Sequence, residues 1–273
     1  MSTIRTEEGT IQVGSAGLHY EVAGAGPVVI LVHGFSLDLR MWDSQFSLLS
    51  KNYRTIRYDC RGFGKSSLPT NAPYTHAEDL AMLLRTVSIT EASVVGQSMG
   101  GQVVLEAAIR YPELVKRVVL IDPWLVDFDF SPEWRALWSQ IADCGARGDI
   151  AGAKDLWCFS SGLFPVGSDK AGTEVKRMVE EYSGWYFANI PHKYATPISD
   201  RLGEVSAPVL IIVGERDIPD FLAIADFLSA TIPTAHKKVI AGVGHTANME
   251  APTQVNAAIA EFFERGRLTR HSS

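Results

Sequence analysis

Between the β-like run 92–95 and the helical run 102–110 stands Gly96-Gln97-Ser98-Met99-Gly100, and this join constrains the fold more than any other part of the chain. A residue on so sharp a strand-to-helix turn is held in a strained conformation. The positions two away on either side must be glycine, or nearly so, to clear it. At an average glycine usage of about 7%, a serine has both flanking glycines by chance roughly once in 200. The strand before and the helix after turn a weak match into a specific one. A serine placed there presents its hydroxyl at the top of a sheet.

The same alternation of strand and helix runs through most of the 273 residues. Val28–Val32 is a continuous β-branched run, as a strand covered on both faces requires. Runs 53–58, 92–95, 117–121 and 209–213 repeat the pattern, and 237–240 reads as the last strand. Stretches 77–87, 102–110, 221–228 and 254–264 carry apolar residues at three- and four-residue spacing, the mark of amphipathic helices. The pattern predicts an α/β protein whose central sheet is mostly parallel, with helices on both faces. The opening differs. Runs 10–14 and 18–23 read as an antiparallel edge hairpin joined through Ser15-Ala16-Gly17.

One stretch breaks the alternation. From 124 to 206 there are only helical patterns, at 132–141, 149–157 and 173–187, so a helical cap is expected there. It divides the core domain into 1–123 and 207–273. The cap holds five of the six tryptophans, Trp124, Trp134, Trp138, Trp157 and Trp185, together with Tyr182, Tyr186 and Phe187. Two or three of these rings are expected to face a ligand, and the others to pack the cap itself. Such a pocket is mainly apolar. Arg135, Lys154, Lys176, Arg177 and Lys193 in the same stretch are the candidates for a cationic partner, although long cationic side chains on helices are usually solvated.

A serine hydroxyl is a poor nucleophile until a base takes its proton, and that base needs a third group to hold its tautomer. With the serine on such an elbow, the acid and then the histidine follow later, each just beyond a strand end. Asp217 in Gly214-Glu215-Arg216-Asp217 and His245 in Gly242-Val243-Gly244-His245 satisfy that order. Asp122, which ends the run 117–121, is the rival acid. His33-Gly34-Phe35 follows Val28–Val32, where a loop can aim the backbone N–H of Phe35 at the same point as that of Met99. Two such donors form an oxyanion hole. His33 itself is expected to fix the loop.

Other motifs fail on their own chemistry. Gly62-Phe63-Gly64-Lys65-Ser66 ends like a phosphate loop, but Asp59 occupies the first glycine position, where a carboxylate would repel phosphate. Gly24-Ala25-Gly26-Pro27 precedes a strand and so fails as a dinucleotide fingerprint. No cofactor is expected, and no spacing suggests a metal. Cys60, Cys144 and Cys158 are odd in number and read as buried small apolar residues. A net charge of −6 gives no reason to expect nucleic acid or an anionic membrane surface. No apolar run is long enough to span a bilayer, and the start is acidic where a secretion signal is apolar. A cytoplasmic location is expected.

Together His33-Gly34-Phe35, Asp59-x-Arg61-Gly62-x-Gly64-x-Ser66, Gly96-Gln97-Ser98-Met99-Gly100-Gly101, Gly214-x-x-Asp217 and Gly244-His245 make the chain resemble the α/β-hydrolase superfamily from about residue 10 to 264. Asp38-Leu39-Arg40-Met41-Trp42-Asp43-x-Gln45 and Gly244-His245-x-x-Asn248-x-Glu250-x-Pro252 look like 3-oxoadipate enol-lactonases and related carboxylesterases. The carbon–carbon hydrolases of aromatic degradation share the Ser-Met-Gly-Gly of the elbow. They carry tryptophan after the histidine and asparagine before the serine, where this chain has Thr246 and Gln97. Dehalogenases and epoxide hydrolases of the superfamily use an aspartate in place of Ser98. The resemblance implies a serine hydrolase that cleaves a small-molecule carboxylic ester or lactone through an acyl-enzyme. Its alternatives are a carbon–carbon bond hydrolase and a small-molecule receptor with slow turnover.

Overall fold

The computed structural model describes residues 5–165, 170–190 and 192–268. Eight strands form one sheet: β1 (Thr6–Val13), β2 (Ala16–Ala23), β3 (Val28–Val32), β4 (Arg54–Tyr58), β5 (Ala92–Gln97), β6 (Val115–Ile121), β7 (Val209–Gly214) and β8 (Ala235–Ile240), in the order β1-β2-β4-β3-β5-β6-β7-β8. β1 pairs antiparallel with β2, and β2 antiparallel with β4; every later pairing is parallel. The β-branched runs lie in the middle, where β5 and β7 are buried along their whole length. The expected hairpin exists, but its turn is Gly14-Ser15, because Val13 pairs with Ala16. Gly14 takes a φ of 55°, which a two-residue turn of this kind demands.

Topology places the functional end of the sheet. The helix α1 (Asp43–Leu49) carries the chain from β3 to β4 in one direction along the sheet. Helix α3 (Met99–Arg110) carries it from β5 to β6 in the opposite direction. Right-handed crossovers then put α1 and α3 on opposite faces. α1 packs on α10 (Pro252–Leu268), and α3 packs on α2 (His76–Thr86). The strand order reverses between β3 and β5, and at such a switch point the loops leaving the two strands diverge and open a crevice. Those loops carry Phe35 and Ser98.

Between β6 and β7 every described element is helical: α4 (Pro132–Ala146), α5 (Ile150–Asp155), a π-helical turn over Leu156–Ser160, α6 (Lys170–Glu181), α7 (Trp185–Ala188) and a 3₁₀ turn over Ser199–Glu204. The helix expected over 173–187 is two helices. Gly184 sits at φ 76° between them, as the N-cap of α7. The start of α4 is fixed from the core, since both carboxylate oxygens of Asp220 accept from the backbone and hydroxyl of its N-cap Ser131, each at 2.7 Å. Asp220 belongs to α8 (Pro219–Thr231), and the short α9 (Ala247–Glu250) precedes α10. Among the described residues no helix is long and apolar enough to cross a membrane.

Candidate active site

Ser98 joins β5 to α3 with φ 49° and ψ −113°, a strained conformation for a residue with a side chain. Both neighbouring glycines are sterically required. A Cβ on Gly96 would lie 2.1 Å from the Gly100 carbonyl oxygen, and one on Gly100 would lie 2.1 Å from that of Val32. The turn is tied into the sheet: Ser98 N–H donates to the Ile121 carbonyl at 3.0 Å, and the Ser98 carbonyl accepts from Trp124 N–H at 3.1 Å. The side chain is almost wholly buried and faces a cavity.

The histidine and the acid come together from different strands. His245 Nδ1 lies 2.8 Å from Asp217 Oδ2, and because a carboxylate there accepts, Nδ1 carries the proton. The other nitrogen, Nε2, is left with its lone pair, buried and without a hydrogen bond. Asp217 Oδ1 accepts from Ile218 N–H at 2.8 Å, which fixes the carboxylate plane. Glu250 fastens the histidine loop by accepting from Gly244 N–H at 3.0 Å and from the Thr246 hydroxyl at 2.9 Å. The Phe221 ring packs edge-on against His245, 4.2 Å between centroids. Gln97, beside Ser98, donates from Nε2 to the His245 carbonyl at 2.7 Å and so ties elbow to histidine loop.

Asp122 has another task. It is fully buried, holds φ 46°, and its two oxygens accept from Gly214 N–H at 2.7 Å and Ala247 N–H at 3.1 Å. It thus clamps the end of β7, three residues before Asp217, to the chain just after His245. Burial, and then the nearby Asp217 carboxylate, push its pKa well above the ordinary carboxylate range. The structure brings Asp217, and not Asp122, to the imidazole.

Across the crevice, Cys60 N–H donates to His33 Nε2 at 2.9 Å, so the ring proton sits on Nδ1 and is donated to the Gly34 carbonyl at 2.8 Å. Burial holds the imidazole pKa below its ordinary value, and the neutral ring serves as a brace. A Cβ on Gly34 would lie 2.0 Å from Gln97 Oε1, so a side chain there would push the Gln97 amide out of its present place. Among the described residues no backbone carbonyl takes the N–H of Phe35 or Met99, and both residues line the same cavity as Ser98. The neighbouring loop is braced by Asp59, which accepts from Leu39 N–H at 2.9 Å and Lys65 N–H at 2.8 Å. Arg61 meets Asp79 with two hydrogen bonds, at 2.6 and 3.0 Å.

The cavity has a volume of about 380 Å³. Five of the eight rings named from the sequence, Trp124, Trp134, Trp138, Trp157 and Tyr186, line it, more than the two or three expected, and Phe130 and Tyr194 of the same stretch line it too. The excess has a simple origin. α4 runs across the crevice, so Trp134 and Trp138, four residues apart, fall on the same helix face. Of the five candidate cations, Arg135 and Lys193 line the cavity. Arg135 pairs with Asp129, whereas Lys154 donates to the Glu180 carbonyl, Lys176 faces Glu180 and Arg177 faces Glu174. Among the described residues no carboxylate lines the cavity. Among the described residues one group of possible metal donors does meet, Glu8, His19 and Glu21 on β1 and β2. None of the three lines the cavity, and Arg57 already makes two hydrogen bonds to Glu21, at 2.6 and 2.9 Å.

Set beside known proteins, residues 27–143 match the family model described as the α/β-hydrolase fold. The 3-oxoadipate enol-lactonase 2 of Acinetobacter baylyi is 26% identical over 94% of this chain and 96% of its own. The 2-(acetamidomethylene)succinate hydrolase of Mesorhizobium japonicum is 26% identical over 93% and 94%. The solved enol-lactonase of Burkholderia xenovorans LB400 superposes with a TM-score of 0.82 at 24% identity, covering 94% of this chain and 100% of that one. The expected fold, and the expected likeness to enol-lactonases and their relatives, are both borne out.

Proposed function

We propose that this chain, whose fold is that of the α/β-hydrolases and whose relatives include lactonases and other hydrolases, is a serine hydrolase acting on a carboxylic ester or lactone. The observation that carries this reading is the polarised imidazole. His245 is held by Asp217 in the tautomer that leaves Nε2 free, on a loop tied to the residue before a strained serine. His245 takes the Ser98 proton as Oγ attacks the carbonyl carbon. The N–H groups of Phe35 and Met99 hold the oxyanion, which appears only in the transition state. His245 then returns the proton to the leaving alcohol, and the acyl-enzyme reacts with water activated by the same imidazole. Asp217 stabilises the imidazolium throughout.

The cavity supports an apolar acyl or alcohol group. Its volume of about 380 Å³ falls within the range usual for small-molecule sites. Arg135 and Lys193 on its wall favour a second reading, in which the same substrate ends in a carboxylate. The three free, buried cysteines fit a reducing compartment, and the cytoplasm is the proposed location. Steady-state hydrolysis of short p-nitrophenyl esters tests the enzyme reading. Repeated turnover supports it, and a single burst followed by arrest points to a slow receptor.

A further inference from the structure

Trp157 joins the helical stretch between β6 and β7 to the loop that follows β3. Its indole N–H donates to Ser36 Oγ at 2.6 Å, across 121 residues of chain, and both side chains are buried. Ser36 directly follows Phe35 and holds φ 63°, a left-handed conformation that a serine keeps only where its surroundings enforce it. The Phe35 ring stands edge-on to Trp157 at 5.4 Å, and to Trp138 and Phe187 at 5.9 and 5.4 Å. Trp157 lies in the π-helical turn Leu156–Ser160, and such turns, which re-aim side chains within a helix, gather at functional positions. Its ring also lines the cavity. One side chain therefore touches the substrate space, the ring of Phe35 and the hydroxyl that follows it.

We propose that Trp157 is a positioning residue for the oxyanion hole: by fastening Ser36 it keeps the Phe35 N–H aimed into the cavity, so that the helical stretch and the loop after β3 act as one unit. The inference rests on the serine-hydrolase reading above. Substrate binding against the indole is then expressed in kcat and not only in KM, because the contact supports a donor used in the transition state.

Two variants separate this from a wall. Trp157→Phe keeps an aromatic ring and removes the N–H, whereas Ser36→Ala removes the acceptor with little change of volume. Each should lower kcat about tenfold or more with KM within about twofold, since small misplacement of a catalytic donor is costly. The double variant should be no worse than the poorer single, as for two halves of one interaction. Affinity for a boronic acid, whose tetrahedral adduct places an oxygen in the hole, should fall in step with kcat. A rise in KM with kcat unchanged, or fully additive losses in the double variant, would overturn the proposal. If Trp157→Phe fails to fold, Ser36→Ala and the boronic-acid affinity decide alone. Fluorophosphonate labelling of the wild type separates the two levels. No adduct on Ser98 refutes the hydrolase reading and this inference with it, and an adduct with unaltered variant kcat refutes this inference alone.

Discussion

Asp217→Asn is the sharpest single perturbation of the site. The wild-type carboxylate accepts from His245 Nδ1–H and from Ile218 N–H, each at 2.8 Å, and the side chain is wholly buried. Asparagine keeps the shape and can keep its oxygen on Ile218. Its NH₂ then faces Nδ1, which must become an acceptor, so the imidazole proton moves to Nε2. That tautomer cannot take a proton from Ser98. The charge that stabilises the imidazolium is lost as well. Together these effects should lower kcat by about 10⁴, on the order of 5 kcal/mol at 1.36 kcal/mol per factor of ten. KM should stay within about twofold, since Asp217 does not line the cavity. The assay is kcat and KM on a p-nitrophenyl ester, with thermal melting to show that the variant folds. A folded variant with kcat within tenfold of the wild type would refute the assignment.

Asp122→Asn should instead cost about 1–3 kcal/mol of stability, because one of the two N–H groups it accepts would face an amide N–H; its kcat loss should be far smaller than that of Asp217→Asn, and unaltered melting would contradict the clamp. Lengthening an ester's acyl chain from acetyl to hexanoyl should raise kcat/KM by a few-fold to tenfold per pair of methylenes at most. A carboxylated lactone that outperforms its neutral analogue, with the difference abolished in Lys193→Ala, would establish the cationic wall instead. Burial holds the His76 pKa well below the ordinary imidazole value, so the unfolded chain binds that proton first. The stability from keeping His76 neutral is complete above about pH 6.5 and is lost as pH falls below it. The advantage of the wild type over His76→Gln in urea unfolding should therefore shrink from pH 7 to 5, and a constant difference would count against it.

The strands were legible because β3, β5, β6 and β7 are built of β-branched runs buried on both faces. β1 begins four residues before the run 10–14, since Thr6–Val13 starts on an exposed edge with Glu7 and Glu8, where no apolar alternation marks it. Helix α1 left too short a pattern to read. Ser98, Asp217 and His245 stood out because each follows a strand within a glycine-bearing loop. The supports around them did not. Gln97 reaches the His245 carbonyl over 148 residues, and Asp122 reaches Ala247 over 125. Trp157 reaches Ser36 from the cap. Such contacts are products of the tertiary fold, and no local periodicity encodes them.

Ser98 as nucleophile is tested most directly by covalent labelling. After reaction with a fluorophosphonate, mass spectrometry of a digest should find one adduct, on the peptide carrying Ser98. Ser98→Ala should lose both the adduct and about 10⁴ or more in kcat while melting like the wild type. An adduct on another peptide, or a Ser98→Ala variant that still turns over near the wild-type rate, would contradict it.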